Sequence, residues 1–267
     1  MSRDATQPVP ALPSATIVML RDSERGPEIL MVKRRQGDAY GDSYTFPGGV
    51  VDANESDARA LCEGRTADEA DTILSVTGGG LDYYSAAIRE LFEETSILLA
   101  RDPGGDWPKY SAELQELRTK VDKADLAWSD FLHEQRLHIA CDALHYFAYW
   151  ETPRPLPKRW STRFFMAAMP SEQDARHDGA ELTDSRWLTA TAALHCGRDG
   201  SMKIPHPTLK TLQELGEMNS VDTLIDWARS EARKGITKVC PVILTKDGKK
   251  RIVMPGDPDF PEQNEAG

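Results

Sequence analysis

The sequence predicts a mixed α/β (α+β) domain in which helices cover a sheet. Three observations predict it. Apolar, partly β-branched runs come early, a helical pattern follows, strand-like runs return, and helical patterns come again near the end. The length, 267 residues, sits near the limit of about 250–300 at which single cores stop growing. The composition, 40% hydrophobic and 28% charged with four cysteines, is globular.

The elements follow in order. Met1 to Ser14 is a polar, Pro-containing stretch that reads as a tail, without the basic-then-apolar pattern of a signal peptide. Thr16–Leu20 and Glu28–Lys33 read as strands, and the turn-rich Arg21–Pro27 between them makes a hairpin. Pro47-Gly48-Gly49 punctuates the chain before Val50. Residues 56–84 are polar and Ala-rich and contain Gly78-Gly79-Gly80, which marks an insertion. A helix is expected from Ser85 to about Ala100. Residues 101–137 form a second insertion, with Leu114, Leu117, Val121 and Leu126 at helical spacing. Strands return at Ala143–Tyr149 and Arg163–Ala168. Helices at Leu209–Met218 and Val221–Arg233 precede a hairpin turning at Lys246-Asp247-Gly248. The domain thus spans 15–254, with C-terminal helices and a hairpin over about 207–254, and 255–267 reads as a loose tail.

Charge and cysteines narrow the function. With 32 Lys and Arg against 43 Asp and Glu, the net charge of −11 disfavours a phosphate backbone and an anionic membrane surface. No apolar run is long enough to span a bilayer. Cys62, Cys141, Cys196 and Cys240 lie too far apart for a zinc or redox motif and read as reduced thiols of a cytoplasmic protein.

The chemistry concentrates in Ala87-Ile-Arg-Glu-Leu-Phe-Glu-Glu-Thr-Ser-Ile-Leu98. Wound at about 100° per residue, with Glu90 at zero, Glu93 falls near −60° and Glu94 near +40°. The apolar residues fall between roughly 80° and 200°. Three carboxylates therefore share one stripe, where they repel each other. A hard divalent cation turns that repulsion into binding. Alone, the pattern also fits a solvated acidic face. Gly49 and Glu55 upstream, after Phe46-Pro47-Gly48, set it in context.

Together these residues resemble the box of the Nudix hydrolase family: Gly49, five residues, Glu55, a spacer, then Arg89-Glu90-Leu91-Phe92-Glu93-Glu94, with Ile97 as the final apolar position. The chain departs twice. The spacer has 33 residues where the family has seven, and Ser96 stands where the family has glycine. A looped-out insertion costs little closure entropy. The long spacer resembles the peroxisomal-type coenzyme A diphosphatase branch, as do Trp150-Glu-Thr-Pro153 and Lys158-Arg159-Trp160-Ser161-Thr162-Arg163-Phe164-Phe165. The branch's coenzyme A signature is loosely matched by Lys33-Arg34-Arg35 and Gly41. The resemblance covers roughly residues 15 to 190.

It implies a Nudix fold, a mixed sheet sandwiched between helices, and Mg2+- or Mn2+-dependent hydrolysis of a nucleoside diphosphate linked to another moiety. Coenzyme A or an acyl-coenzyme A is the implied small-molecule substrate. An ADP-ribose or nucleotide-sugar diphosphatase, or a non-catalytic ligand sensor on the same fold, are the alternatives. By matched position, Glu90 and Glu94 are the main metal ligands. Glu93 is a further ligand or the general base, so Glu93 and Glu90 are the candidate catalytic carboxylates. Glu181 is a second candidate base, on a loop before Trp187-Leu188. Glu55 and Arg89 pair and, with Gly49, support the loop. Gly48 and Gly49 let backbone approach metal or substrate. Lys33, Arg34, Arg35, Arg159 and Arg163 are the candidate cations for a polyphosphate. Trp150 and Trp160 suit core packing better than adenine stacking. The helices at 108–136 and 207–234 are open to three roles: capping the site, a homodimer contact, or thickening the core.

Other chemistries drop out. His133-Glu134 and His138 are one residue too far apart for a zinc-protease helix. There is no Gly-x-Ser-x-Gly elbow, P-loop or dinucleotide glycine fingerprint.

Overall fold

A computed structural model describes residues 9–35, 41–171, 173, 175, 182–246 and 249–261, with the side chains of 182, 246 and 249 left aside. Strands β1 (Leu12–Arg21), β2 (Glu28–Arg34), β3 (Tyr44–Thr45) and β4 (Gly48–Val50) come first. A 3-10 helix (Ala53–Leu61), β5 (Cys62–Glu63), α1 (Ala67–Leu74) and the long α2 (Gly80–Thr95) follow. Next come β6 (Ala100–Arg101), α3 (Ala112–Asp122), α4 (Trp128–Gln135), β7 (His138–Ala140), β8 (His145–Glu151) and β9 (Trp160–Ala168). Then come β10 (Leu182–Thr189), α5 (Ala190–Asp199), α6 (His206–Leu215), α7 (Val221–Lys234), β11 (Lys238–Val239), β12 (Val242–Lys246) and β13 (Lys249–Val253).

The main sheet is mixed and runs β10-β2-β1-β9-β8-β11, with β3 paired to β2 and β4 to β1. β1 and β9 are parallel over nine residue pairs, from Leu12 opposite Trp160 to Leu20 opposite Ala168. Both faces of β1 are covered. Ile17 and Met19 join the core beneath α2, while Val18 and Leu20 join the core that holds Leu212, Leu224 and Ile225 of α6 and α7. That is why this strand reads as an unbroken apolar run, as strands buried on both faces do.

The early hairpin is real but short. β1 and β2 pair only at Leu20 with Ile29 and Arg21 with Glu28. The rest of β1 pairs with β4, and β2 pairs along its length with β10. β10 is a correction to the sequence reading, which had Trp187-Leu188 on a loop. Its sequence, Leu-Thr-Asp-Ser-Arg-Trp-Leu-Thr, is too polar to alternate, and its strand conformation comes from pairing with β2. β1 opens at Leu12, inside the stretch read as a tail. The turn expected at Asp247-Gly248 lies outside the described residues.

α2 also starts earlier than its periodicity predicts, at Gly80 instead of Ser85. The insertion sets that start. Asp71 of α1 accepts the Gly80 N–H at 2.6 Å, and a Cβ on Gly80 would come 2.6 Å from the Ala70 carbonyl carbon. Arg59 donates twice to Asp82 at 2.6 Å. The second insertion covers the back of α2. Phe92 stacks on Phe131 of α4 at 5.1 Å, and Trp128 donates its indole N–H to Ser85 at 3.1 Å. α2 is thus enclosed between the sheet and the insertions, a helix buried nearly all round. Ser96 closes it in the left-handed conformation (φ 64°) that the family's glycine would adopt freely, and its hydroxyl bonds the Gln115 side-chain amide at 2.9 Å. Among the described residues no helix is long and apolar enough to cross a membrane, and all four cysteines are free.

Candidate functional site

The site is built where α2 passes over the turn between β3 and β4 and the two glycines, Gly48 and Gly49, that open β4 directly after it. Gly48 has φ 149°, and a Cβ there would sit 2.3 Å from the Ala15 carbonyl oxygen, so only glycine fits. A Cβ on Gly49 would lie 2.3 Å from the carboxyl carbon of Glu90. The turn therefore presents bare backbone to the helix, and the carboxylate of Glu90 lies against it. One helical turn on, Glu94 is buried at 3% exposure and accepts the Gly48 N–H at 2.9 Å. Arg34 reaches Glu94 at 3.3 Å and also donates to the Gly48 carbonyl.

Arg89 organises the other side. Its Nε donates to Glu55 at 2.7 Å, and one terminal nitrogen lies 3.0 Å from both Glu90 and Glu93. The other donates to the Val50 carbonyl at 3.1 Å and meets Asp52 at 3.2 Å. Burial alone would favour loss of the Arg89 proton, but the carboxylates of Glu90, Glu55 and Glu93 outweigh it and hold the guanidinium charged. Glu55 is 1% exposed; burial pushes its carboxyl up against the pull of Arg89, and Ser85 donates to its second oxygen. Burial likewise pushes Glu93 up to about 8; Arg89 opposes this, and Glu90 and Asp122 add to it. The backbone carbonyl of Glu93 accepts from the buried Arg118.

Among the described residues no three His, Cys, Asp or Glu side chains converge closely enough to hold a metal ion as they stand. The arrangement gives the reason: Arg89 draws in Glu55, Glu90 and Glu93, while Arg34 and the Gly48 N–H take Glu94. The donor set still suits a hard cation. It is all carboxylate oxygen, carried on a rigid helix against a turn that has no side chains to obstruct it.

The remaining predicted residues divide. Arg35 is exposed directly after β2, and Lys33 is tied to Asp42 at 2.7 Å. Glu181 lies outside the described residues. Arg159 does not match its predicted substrate role. It is buried at the β8–β9 end, and its guanidinium donates to the Thr152 and Val9 carbonyls and to Glu151. Those bonds hold chain segments together and commit its donors. Arg163 is also buried, but differently. It sits in register with Ala15, which pairs with Gly49, so the three form one row across β9, β1 and β4. It stacks 3.4 Å over Tyr149 and 5.4 Å from Tyr83, and only its Nη2 is hydrogen-bonded, to the Leu74 carbonyl. Tyr83 lies seven residues before Glu90 and so on the same helical stripe, about 10 Å away. Trp150 packs in the core beside His206. Sequence reasoning missed Asp52, Arg118, Tyr83 and Tyr149. Only Tyr83 carried a signal, its seven-residue offset from Glu90.

Comparison with known proteins adds to the geometry. The model of the NUDT19 Nudix domain matches residues 59–215, more than half of the chain. The human acyl-coenzyme A diphosphatase NUDT19 is 28% identical over 191 residues, covering 67% of this chain and 51% of the human protein. The chain thus spans about half the length of that relative. A putative nudix hydrolase 7 of Caenorhabditis elegans is 24% identical over 256 residues, covering 94% of this chain and 75% of the worm protein. A crystal structure of a NUDIX hydrolase from Alicyclobacillus acidocaldarius superposes with a TM-score of 0.70 at 22% identity, covering 82% of this chain and 96% of that one. That likeness carries the fold alone.

Proposed function

Since the chain belongs to the NUDT19 Nudix domain family, we propose that it hydrolyses a diphosphate bond in a nucleoside diphosphate linked to another moiety, with coenzyme A or an acyl-coenzyme A as the substrate. The observation that carries this reading is the meeting of Glu90 and Glu94, one turn apart on α2, with the Gly48–Gly49 turn. The substrate choice is supported by the name of the human relative and by the Trp150–Phe165 pattern.

Glu90 and Glu94 are the residues that would hold a divalent cation, Mg2+ or Mn2+, with Glu93 beside them as the base. Such an ion, when bound, neutralises phosphate oxygens and lowers the pKa of its water. The chain's own residues do the rest. Glu93, pushed up to about 8 by burial, has a proton affinity suited to a base near neutrality. A water oxygen attacks one phosphorus, its proton passes to the Glu93 carboxylate, and the bond to the bridging oxygen breaks, leaving that oxygen with the second phosphate. Arg34, Arg35 and Arg163 supply positive charge to the diphosphate, and the Gly48 backbone approaches it without a side chain in the way. Arg89 keeps the carboxylates in register and stays charged throughout. A sensor without turnover is the less favoured reading, because all three helix acids are present.

The test is a panel of coenzyme A, an acyl-coenzyme A, ADP-ribose and a dinucleoside polyphosphate, with and without Mg2+. Turnover of the coenzyme A substrates to 3′,5′-ADP, and its loss on chelation, is expected. Glu94→Gln lowers kcat on the order of a thousandfold, the several kcal/mol that a metal contributes to charge stabilisation. Turnover of ADP-ribose alone would replace the substrate, and no turnover of any member would leave the sensor.

A further inference from the structure

A second polar region lies at the opposite edge of the sheet. β9 covers one side of β8, but β11 pairs with the other side only at Tyr149 and Trp150. The His145–Tyr146 end of β8 therefore has an open flank. Arg65, the N-terminal half of α2 and the C-terminal half of α7 close around that end and leave a cavity of about 510 Å3.

The walls are unusual for an acidic chain. They carry Arg65, Arg229 and Arg233 against a single carboxylate, Asp226, together with Tyr84 and His145. Behind the wall, the Tyr84 hydroxyl and the Arg65 Nε are sealed from solvent with no hydrogen bond, so the positive charge open to the cavity is that of the guanidinium groups. Tyr84 is fully buried, and the Arg65 guanidinium lies 5.2 Å over its ring. Burial, reinforced by Arg229 and Arg65, holds His145 well below its usual range, at about 4, so the imidazole stays neutral. Three guanidinium groups around one carboxylate leave the cavity with an excess of positive charge.

We propose that this cavity is a second anion site that binds a phosphate group, as inorganic phosphate or as the terminal monoester of a small molecule. A phosphate dianion offers only acceptors, and guanidinium forks match its oxygens in pairs. It also outcompetes the one internal counter-ion, since Asp226 engages Arg229 through a single 3.2 Å contact at an exposed position. A monocarboxylate would merely equal Asp226; a dianion exceeds it.

The site is separate from the carboxylate stripe. β1 and β9 stand between β4 and β8, so the two lie about three strand spacings, roughly 14 Å, apart. Tyr84 also points about 120° away from Glu90 around α2. The cavity is there whether or not Glu90, Glu93 and Glu94 turn over a diphosphate.

The experiment is a titration of the full chain with inorganic phosphate in chelator-containing buffer, followed by calorimetry and by phosphorus NMR, with chloride at equal ionic strength as the reference. Saturable one-to-one binding is expected. Arg65→Gln and Arg229→Gln should each weaken it about tenfold, the effect of one charge-assisted contact. Arg229 is exposed, so its variant keeps the fold. Asp226→Asn should tighten binding, and Arg34→Gln should leave it unchanged. Phenyl phosphate binding as tightly as phosphate points to a monoester; much weaker binding points to the free ion. The proposal falls if no saturable binding appears, if both arginine variants bind like wild type, or if Arg34→Gln is the change that abolishes binding.

Discussion

The two halves of α2 handle buried polarity in opposite ways. Toward the C-terminus, Arg89, Glu90, Glu93 and Glu94 form a closed set. Arg89 has hydrogen-bond or ion-pair contacts to five groups, and Glu94 is held by Gly48 and Arg34. Toward the N-terminus, Tyr84 and its neighbour Arg65 carry donors with no acceptor, and Arg163 beside Tyr83 leaves its Nε and Nη1 unbonded. The closed set has what it needs to hold its shape before any ligand arrives, and a ligand must trade against bonds already made. The open set has bonds to gain, because an unmet buried donor costs more than a net hydrogen bond returns. Preorganisation of this kind belongs to a site that must place reacting atoms, whereas unmet donors belong to a site that only has to hold.

The sharpest way to break the closed set is to remove its centre. Arg89→Gln leaves Glu55, at 1% exposure, with its charge uncompensated, and should destabilise the fold by about 3–5 kcal/mol, read by denaturant unfolding. Glu55→Gln in the same background should recover part of that loss. A stability change below about 1 kcal/mol for Arg89→Gln would show that the set is not closed.

Next in size is Gly49→Ala. Its Cβ would overlap the Glu90 carboxylate, so activity should drop about a hundredfold while the melting temperature changes little. Equal activity would mean that Glu90 does not work from its position against the turn.

Last comes a pH dependence. Glu93 is pushed up to about 8 in the folded chain and returns to the ordinary carboxylate range on unfolding. Its contribution to stability is therefore full below about pH 4.5 and is lost as pH rises toward 8. Metal-free protein should lose stability over that window, and Glu93→Gln should flatten the loss. A cation held as proposed by Glu90 and Glu94 would disfavour the Glu93 proton, so apparent metal affinity should rise up to about pH 8 and then level. A wild-type curve as flat as that of Glu93→Gln would place Glu93 in water.

Legibility followed burial. Ile17–Leu20 is visible as a strand because both its faces are covered, and Ile88–Thr95 as a helix because its apolar stripe repeats with the helical period. β10 and α5 were not visible. β10 is polar along most of its length, and nothing local distinguishes it from a loop; its partner β2 makes it a strand. The start of α2 at Gly80 was hidden because it depends on Asp71 and Ala70, which belong to the insertion. The two arginines of the Arg159–Arg163 segment looked alike in sequence. One is bonded to nearby carbonyls and Glu151, the other lies stacked on tyrosines, and only their neighbours separate them.

Spacing along the chain was enough to put three carboxylates on one stripe of a helix and two glycines ahead of them, because helical angle and backbone freedom are local properties. Proximity across the sheet was not available to it. That Glu90 lies on Gly49, that Arg89 gathers acids from two segments, and that Tyr84 lies beneath Arg65, from just before α1, in a cavity shared with arginines of α7, are consequences of which strands pair and which helices pack over them. Those contacts join residues from distant parts of the sequence, and only the folded chain brings them within bonding distance.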